Sequence, residues 1–238
     1  MAFANKTSLK VQPPPRIFSE QILKRFTDPL DCLTAHLMLE CAEVLAGVKP
    51  ANLISLVNRN QLCGRNLYQL WQNHHEELTT RLAGLTILVL QNKERALLLL
   101  CYNSDQLERH LSHAGIRTLL HKAGYEADAS TEALLAELKR RTTNNDAFPH
   151  EIGLFIGYPA KDVAAFMGLI KLPFACQCLW KIYGNPEQSL GLAEQFRGCR
   201  QRMGEILATG KRTALDLDKT SHPFFCHTFE NDCQNHNM

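Results

Sequence analysis

The sequence has no apolar run long enough to span a bilayer. Its longest, Ala96 to Cys101, falls far short of the roughly 20 residues that a membrane helix needs. Neither sign of charge dominates. The 26 Lys and Arg face 24 Asp and Glu, a net charge of +2, so no global field draws in nucleic acid or an anionic membrane. There is no Gly-rich phosphate loop, no internal repeat and no Cys-x-x-Cys pair. The last absence removes zinc ribbons and thioredoxin-type redox motifs from consideration. The opening Met1-Ala2-Phe3-Ala4-Asn5-Lys6, which leads on to Pro13-Pro14-Pro15, lacks the apolar core of a signal peptide. These absences together predict a cytoplasmic protein whose thiols are kept reduced.

What is present is an ordinary globular composition: 45% hydrophobic and 21% charged over 238 residues. That excludes a mainly disordered, collagen-like or coiled-coil chain. Nine cysteines are many for a reducing compartment, and the number is odd. Small buried hydrophobes account for most of them.

Residues 1–16 read as an extended arm ending in prolines, 17–211 as a single domain, and 212–238 as a polar tail without period. Ile17 to Phe26 suits a short helix. Asp28-Pro29 suits a capped helix start, followed by Leu30, Leu33, Leu37, Cys41 and Val44 at helical spacing. Ala51 to Val57 reads as a strand and Asn66 to Leu82 as a helix. Leu85–Leu90 and Arg95–Tyr102 flank the polar tetrapeptide Gln91-Asn92-Lys93-Glu94. They predict an antiparallel hairpin, apolar on nearly every residue and so covered on both faces. Helices follow to His113, over Ile116–Lys122 and over Ser130–Arg141. Pro149 at a first helical position and Gly157 as terminator frame a short helix, and Ala160–Ile170 a second. Leu179–Tyr183 reads as a strand and Pro186–Leu207 as a long helix. The fold class is therefore α+β: a small, mainly antiparallel sheet (hairpin 85–102) embedded among helices.

Three blocks carry a resemblance: Cys41–Pro50 (CAEVLAGVKP), His150–Val163 (HEIGLFIGYPAKDV) and Trp180–Gly184 (WKIYG), completed by the helix with Phe196 and Cys199. They resemble a bacterial domain of unknown function, family 3793, over roughly residues 30 to 210. The resemblance implies a bacterial cytosolic protein and brings no reaction with it. Ala42-Glu43 stands where that family usually has Ala-Pro.

Several constellations could carry chemistry. His150 and Glu151 open the short helix, and Tyr158 follows within nine positions. An imidazole, a carboxylate and a phenol there predict one concavity with His150 and Glu151 as an acid–base pair, near Trp180 or Tyr183 as cofactor-binding aromatics. Gly153, costly inside a helix, implies close backbone approach or room for a ligand. Cys176-x-Cys178, joined by Cys41 and Cys199, could hold a soft transition metal or a metal-containing cofactor. His74-His75, and His110 with His113 one turn apart, lack a third ligand and read as solvated helix faces. In the tail, Cys226, His227, Cys233 and His236 have metal-binding types at no standard spacing. Two helices around Gly157-Tyr158-Pro159 imitate a helix-turn-helix, but the second carries one Lys, one Asp and no Arg, which argues against nucleic acid.

The expectation is a binding or accessory protein for a metal or metal-containing cofactor. The alternatives are an enzyme working through His150 and Glu151, and a protein-interaction module.

Overall fold

A computed structural model of the protein describes residues 21–215, except 62, 83 and 145–147. Helix α1 (Pro29–Glu40) begins where the sequence predicts: the Asp28 carboxylate accepts the Asp31 amide at 2.9 Å, and Pro29 fills the first turn. Leu30, Leu33, Leu37 and Met38 are all buried, so this helix runs through the core rather than along its surface. A short α2 (Ala42–Leu45) follows and leads into β1 (Ala51–Val57). Next come α3 (Leu67–Arg81), capped by Asn66, then β2 (Thr86–Lys93) and β3 (Ala96–Tyr102).

These strands form one antiparallel sheet in the order β1-β3-β2. Alternation along β3 divides the core. Leu97, Leu99 and Cys101 join Ile54 and Leu56 in a cluster with α1, α3 and residues 199–215. Leu98, Leu100 and Tyr102 join Ala51, Leu88 and Leu90 in a cluster on the opposite face. Leu97, Leu99 and Leu100 are wholly buried, each worth roughly 1.5–3 kcal/mol of apolar transfer. The predicted two-sided burial is therefore observed.

The second face is covered by α4 (Ser104–Ser112), α5 (Ala114–Lys122), α6 (Thr131–Asn144), α7 (Ile152–Phe155) and α8 (Ala160–Phe166). A two-stranded antiparallel sheet of β4 (Phe174–Gln177) and β5 (Lys181–Tyr183) comes next, then the long α9 (Glu187–Leu207) and a 3-10 turn at Arg212–Leu215. The protein is α+β, as its sequence predicts.

Several boundaries differ from expectation. The turn of the hairpin sits at Glu94-Arg95, not 91–94, because a bulge between Val89 and Gln91 lets β2 continue to Lys93. Helix α6 supports the bulge: Thr143 Oγ1 donates to the Leu90 carbonyl, and the Gln91 side-chain Nε2 donates to the Thr142 carbonyl at 2.9 Å. Pro149 does not start a helix. Pro149 to Glu151 form a tight turn whose carbonyls accept from Ile152, Gly153 and Leu154, and α7 begins only at Ile152. Helix α8 stops at Phe166 rather than Ile170, with Gly168 at φ 76° just beyond its end. The chain stays in the core past 211, since Ala214 and Leu215 are buried against the first cluster. The arm at 1–16 and the tail cysteines and histidines Cys226, His227, Cys233 and His236 lie outside the described residues.

Candidate functional site

The turn after α7 fixes the geometry of an apolar cavity. Tyr158 donates its amide to the Gly153 carbonyl at 2.9 Å and closes the helix end. Gly157 sits at φ 78°, and a Cβ there would lie 2.5 Å from Pro50 Cδ; both its conformation and its closeness to the loop before β1 require glycine. Gly153 faces α8: a Cβ would come within 2.9 Å of Val163 Cγ2. It therefore allows close packing, and it also lines the cavity.

The cavity holds about 300 Å³ between α7, α8 and the β4–β5 hairpin. Ile152, Ile156, Val163 and Leu179 give it apolar walls. The Tyr158 ring stacks on Trp180 with centroids 4.6 Å apart. At the rim Phe148 and Phe166 are exposed, at 46% and 41%. The His150 ring meets Phe166 edge-on at 4.9 Å, and Lys181 Nζ lies 5.2 Å from the same ring's centroid. His150 and Lys181 therefore flank an aromatic entrance.

In the cavity wall itself lies a carboxylate that sequence reasoning did not single out. Asp162 is 1% exposed and accepts from Trp180 Nε1 at 2.8 Å, Ser189 Oγ at 2.6 Å, the Tyr183 amide at 2.9 Å and Lys161 Nζ at 2.8 Å. Burial pushes its carboxyl up, but the donors from Lys161, Ser189, the Tyr183 amide and Trp180 outweigh this and hold it below the ordinary value. Its acceptor capacity is spent on holding β5 and the start of α9 against α8. Its sequence signal was slight: one acidic residue beside Val163 in the first turn of a helix.

A second buried group surrounds Lys49. Its ammonium donates to Asn52 Oδ1 at 2.7 Å and lies 5.3 Å from the Tyr158 centroid and 5.2 Å from that of Phe196. Close by, Glu43 accepts from Arg200 Nε at 2.6 Å. Burial lowers the Lys49 ammonium to about 8; the Glu43 charge opposes that shift and the Arg200 charge adds to it. Glu43 and Arg200 stand 157 positions apart, so no local pattern announces their pairing.

A family model described as "Protein of unknown function (DUF3793)" matches residues 37–215, which takes in the cavity and both buried polar groups. The chain belongs to this family. No curated protein and no solved structure matches it. The DUF3793 segment contains all three blocks on which the resemblance rested, and each has a structural role. The first carries Glu43 and Lys49, the second α7, Tyr158 and Asp162, and the third Trp180 and Lys181.

The structure brings together some of the residues that the sequence expected to share a site and separates others. His150, Tyr158 and Trp180 line one cavity. Glu151 does not: it is 6% exposed, accepts from Arg141 Nη1 at 2.9 Å and from Tyr125 Oη at 3.2 Å, and is a core ion pair on the far side of the turn. The acid–base pair of the sequence reading is thereby split. Tyr183 contributes its amide to Asp162 and its ring lies edge-on to Phe174, away from the cavity lining.

The cysteines do not converge. Cys41 lies against Cys101, and their thiol hydrogen bond, with burial, pushes the Cys41 thiol well up. Burial pushes Cys199 to about 11 and also raises Cys176, while Cys178 Sγ accepts from Arg197 Nη2 at 2.9 Å. Thiols held protonated are poor ligands and poor nucleophiles. Among the described residues no group of three or more His, Cys, Asp or Glu side chains is placed to hold a metal ion. No helix there is long and apolar enough to cross a membrane.

Proposed function

We propose that the protein is a binding protein whose cleft takes a small apolar or aromatic molecule bearing an acidic group. The observation that carries this reading is the cavity itself. It has apolar walls, a stacked Tyr158–Trp180 pair and a rim on which the cation Lys181 and the imidazole His150 flank Phe166. An apolar body suits the walls, and an anionic group suits the rim. Asp162, the carboxylate in the lining, is engaged by four protein donors and so does not repel such a ligand as a free charge would.

The reading replaces a metal-containing ligand, since among the described residues no three His, Cys, Asp or Glu side chains gather to hold a metal. It also displaces proton-transfer chemistry by His150 and Glu151, since Glu151 is committed to Arg141 and Tyr125.

The test uses 1-anilinonaphthalene-8-sulfonate, a fluorescent aromatic acid, on the folded protein. Saturable enhancement is expected. Phe166→Ala and Lys181→Glu, both at exposed positions, should each weaken it by roughly tenfold, about the value of one charge-assisted contact or aromatic stack, without moving the melting transition. Absence of saturable binding, or binding indifferent to both changes, overturns the proposal.

A further inference from the structure

A second cavity, of about 280 Å³, lies between the loop before β1 and the last turns of α4. It shares no lining residue with the first. Gly47, Val48, Lys49 and Pro50 form one side; Gln106, Arg109, His110 and His113 form the other. The helical period explains the second wall. Gln106, Arg109 and His110 lie three and four residues apart and so share one face of α4, and His113 follows in extended backbone just past its end.

The chemistry of this wall is one-sided. Arg109 makes no ion pair among the described residues, and no acidic side chain lines the space. The Lys49 ammonium is turned to Asn52 and the rings of Tyr158 and Phe196, so the cationic charge here comes from Arg109. Two acceptors accompany it. Gln106 Oε1 is buried with no hydrogen-bond partner among the described residues. His110 gives Nε2 to the Leu154 carbonyl at 2.7 Å; a carbonyl only accepts, so the bond selects the tautomer with a proton on Nε2 and leaves Nδ1 as an acceptor in the neutral ring. His113 is exposed and has no hydrogen-bonding side-chain partner among the described residues.

The geometry points to a site for a phosphate group that keeps one P–OH, either free hydrogen phosphate or a phosphate monoester in its monoanionic form. The guanidinium of Arg109 takes two phosphate oxygens in its planar fork, the geometry that guanidinium offers better than an ammonium. The remaining P–OH donates to Gln106 Oε1, which otherwise stays buried and unsatisfied. A carboxylate or a sulfate fits the charge but brings no donor, and either would leave that oxygen without a partner. His113 lines the open side, where a monoester's organic group would emerge. The histidines at 110 and 113, which looked like a solvated helix face with too few ligands for a metal, thus gain a different use.

The competing account is that Arg109 and His110 only sit favourably at the carbonyl end of α4. The experiment separates the two. Inorganic phosphate and sulfate are titrated separately into the full chain, followed by calorimetry and by the imidazole proton resonances of His110 and His113. Phosphate should bind and shift those resonances, with sulfate about tenfold weaker for want of the one hydrogen bond. Arg109→Gln should abolish phosphate binding. Gln106→Met should remove the preference for phosphate over sulfate while leaving the melting temperature within a few degrees. Glycerol 3-phosphate identifies the source: tighter binding than free phosphate marks a monoester site, and equal binding a site for the free ion. Equal affinity for phosphate and sulfate in the unaltered protein overturns the proposal. So does loss of melting temperature in Arg109→Gln with no phosphate binding by the parent.

Discussion

Replacing Lys49 by methionine tests the physics of the buried amine that abuts the cleft. Lys49 is 4% exposed, and Met keeps most of its volume and removes its charge. Burial lowers the ammonium from the ordinary 10.5 to about 8. At about 1.4 kcal/mol for each pH unit, holding the charged form in the fold costs about 3 kcal/mol more than in the unfolded chain. The sign follows from proton counting. Between pH 8 and 10.5 the unfolded chain holds a proton on this residue that the folded chain has released, so the free energy of unfolding rises with pH. The stabilising contribution is complete above 10.5 and is lost as pH falls through about 8. Lys49→Met has no such titration.

Urea unfolding of both proteins at pH 7, 8 and 9 therefore yields a difference curve, parent minus variant. It should climb by about 1.3 kcal/mol between pH 7 and 9. The raised thiols of Cys41 and Cys199 lose stability at still higher pH, but they are present in both proteins and largely cancel in the difference. The pH-independent part of the change, including the Asn52 Oδ1 left without its donor, shifts the whole curve and does not tilt it. A flat difference curve would refute the reasoning by showing a solvated amine. The same flat curve would result if Glu43 held the ammonium at or above its ordinary value, because both states then keep the proton from pH 7 to 9.

Two further outcomes follow from the turn around α7. Gly153→Ala should destabilise by about 1–3 kcal/mol in urea unfolding, because its Cβ meets Val163 Cγ2; Val163→Ala in the same chain should recover most of the loss. Glu151→Ala removes one of two carboxylates on Arg141 and leaves the Tyr125 hydroxyl without its acceptor, and should cost about 1–3 kcal/mol, whereas His150→Ala should leave the melting temperature nearly unchanged and weaken binding of the fluorescent acid. A stability loss of similar size in both would contradict the division of roles between these neighbours.

The central sheet was legible because its signal is local. Leu97 to Cys101 are apolar at every position, and two-sided burial is what such a run requires. The bulge in β2 was not, since it depends on Thr142 and Thr143 arriving from α6. Strand β4 was missed for a related reason. Phe174 and Gln177 are exposed, so the segment carries no alternation, and it is ordered by pairing with β5. In the candidate site the glycines were informative: Gly153 and Gly157 each mark a real close approach. The neighbours His150 and Glu151 misled because adjacency in a tight turn sends side chains in different directions. Nothing in the sequence near Glu151 names Arg141 as its partner. Cysteine abundance misled as well, since Cys32, Cys41, Cys101 and Cys199 are buried and behave as small hydrophobes.

Tyr158 shows why such a site escapes reading residue by residue. Its position is set by groups from three separate stretches of chain. Trp180 stacks on its ring, the Lys49 ammonium lies over it, Pro50 presses on the preceding Gly157, and the Gly153 carbonyl accepts its amide. Two of these partners belong to buried polar clusters: Trp180 donates to the Asp162 carboxylate, and the Lys49 ammonium donates to Asn52 close to the Glu43–Arg200 pair. Buried charges are poor sources of net stability, and well-packed apolar residues would often hold a core as firmly. What they supply is direction, because a hydrogen-bonded carboxylate fixes an indole at one angle where dispersion would accept several. Two such clusters around one phenol favour a preorganised cleft wall over simple packing. On that argument Asp162→Asn should disturb the fluorescent acid's affinity through the angle of Trp180, even though Asp162 has no acceptor left to offer a ligand.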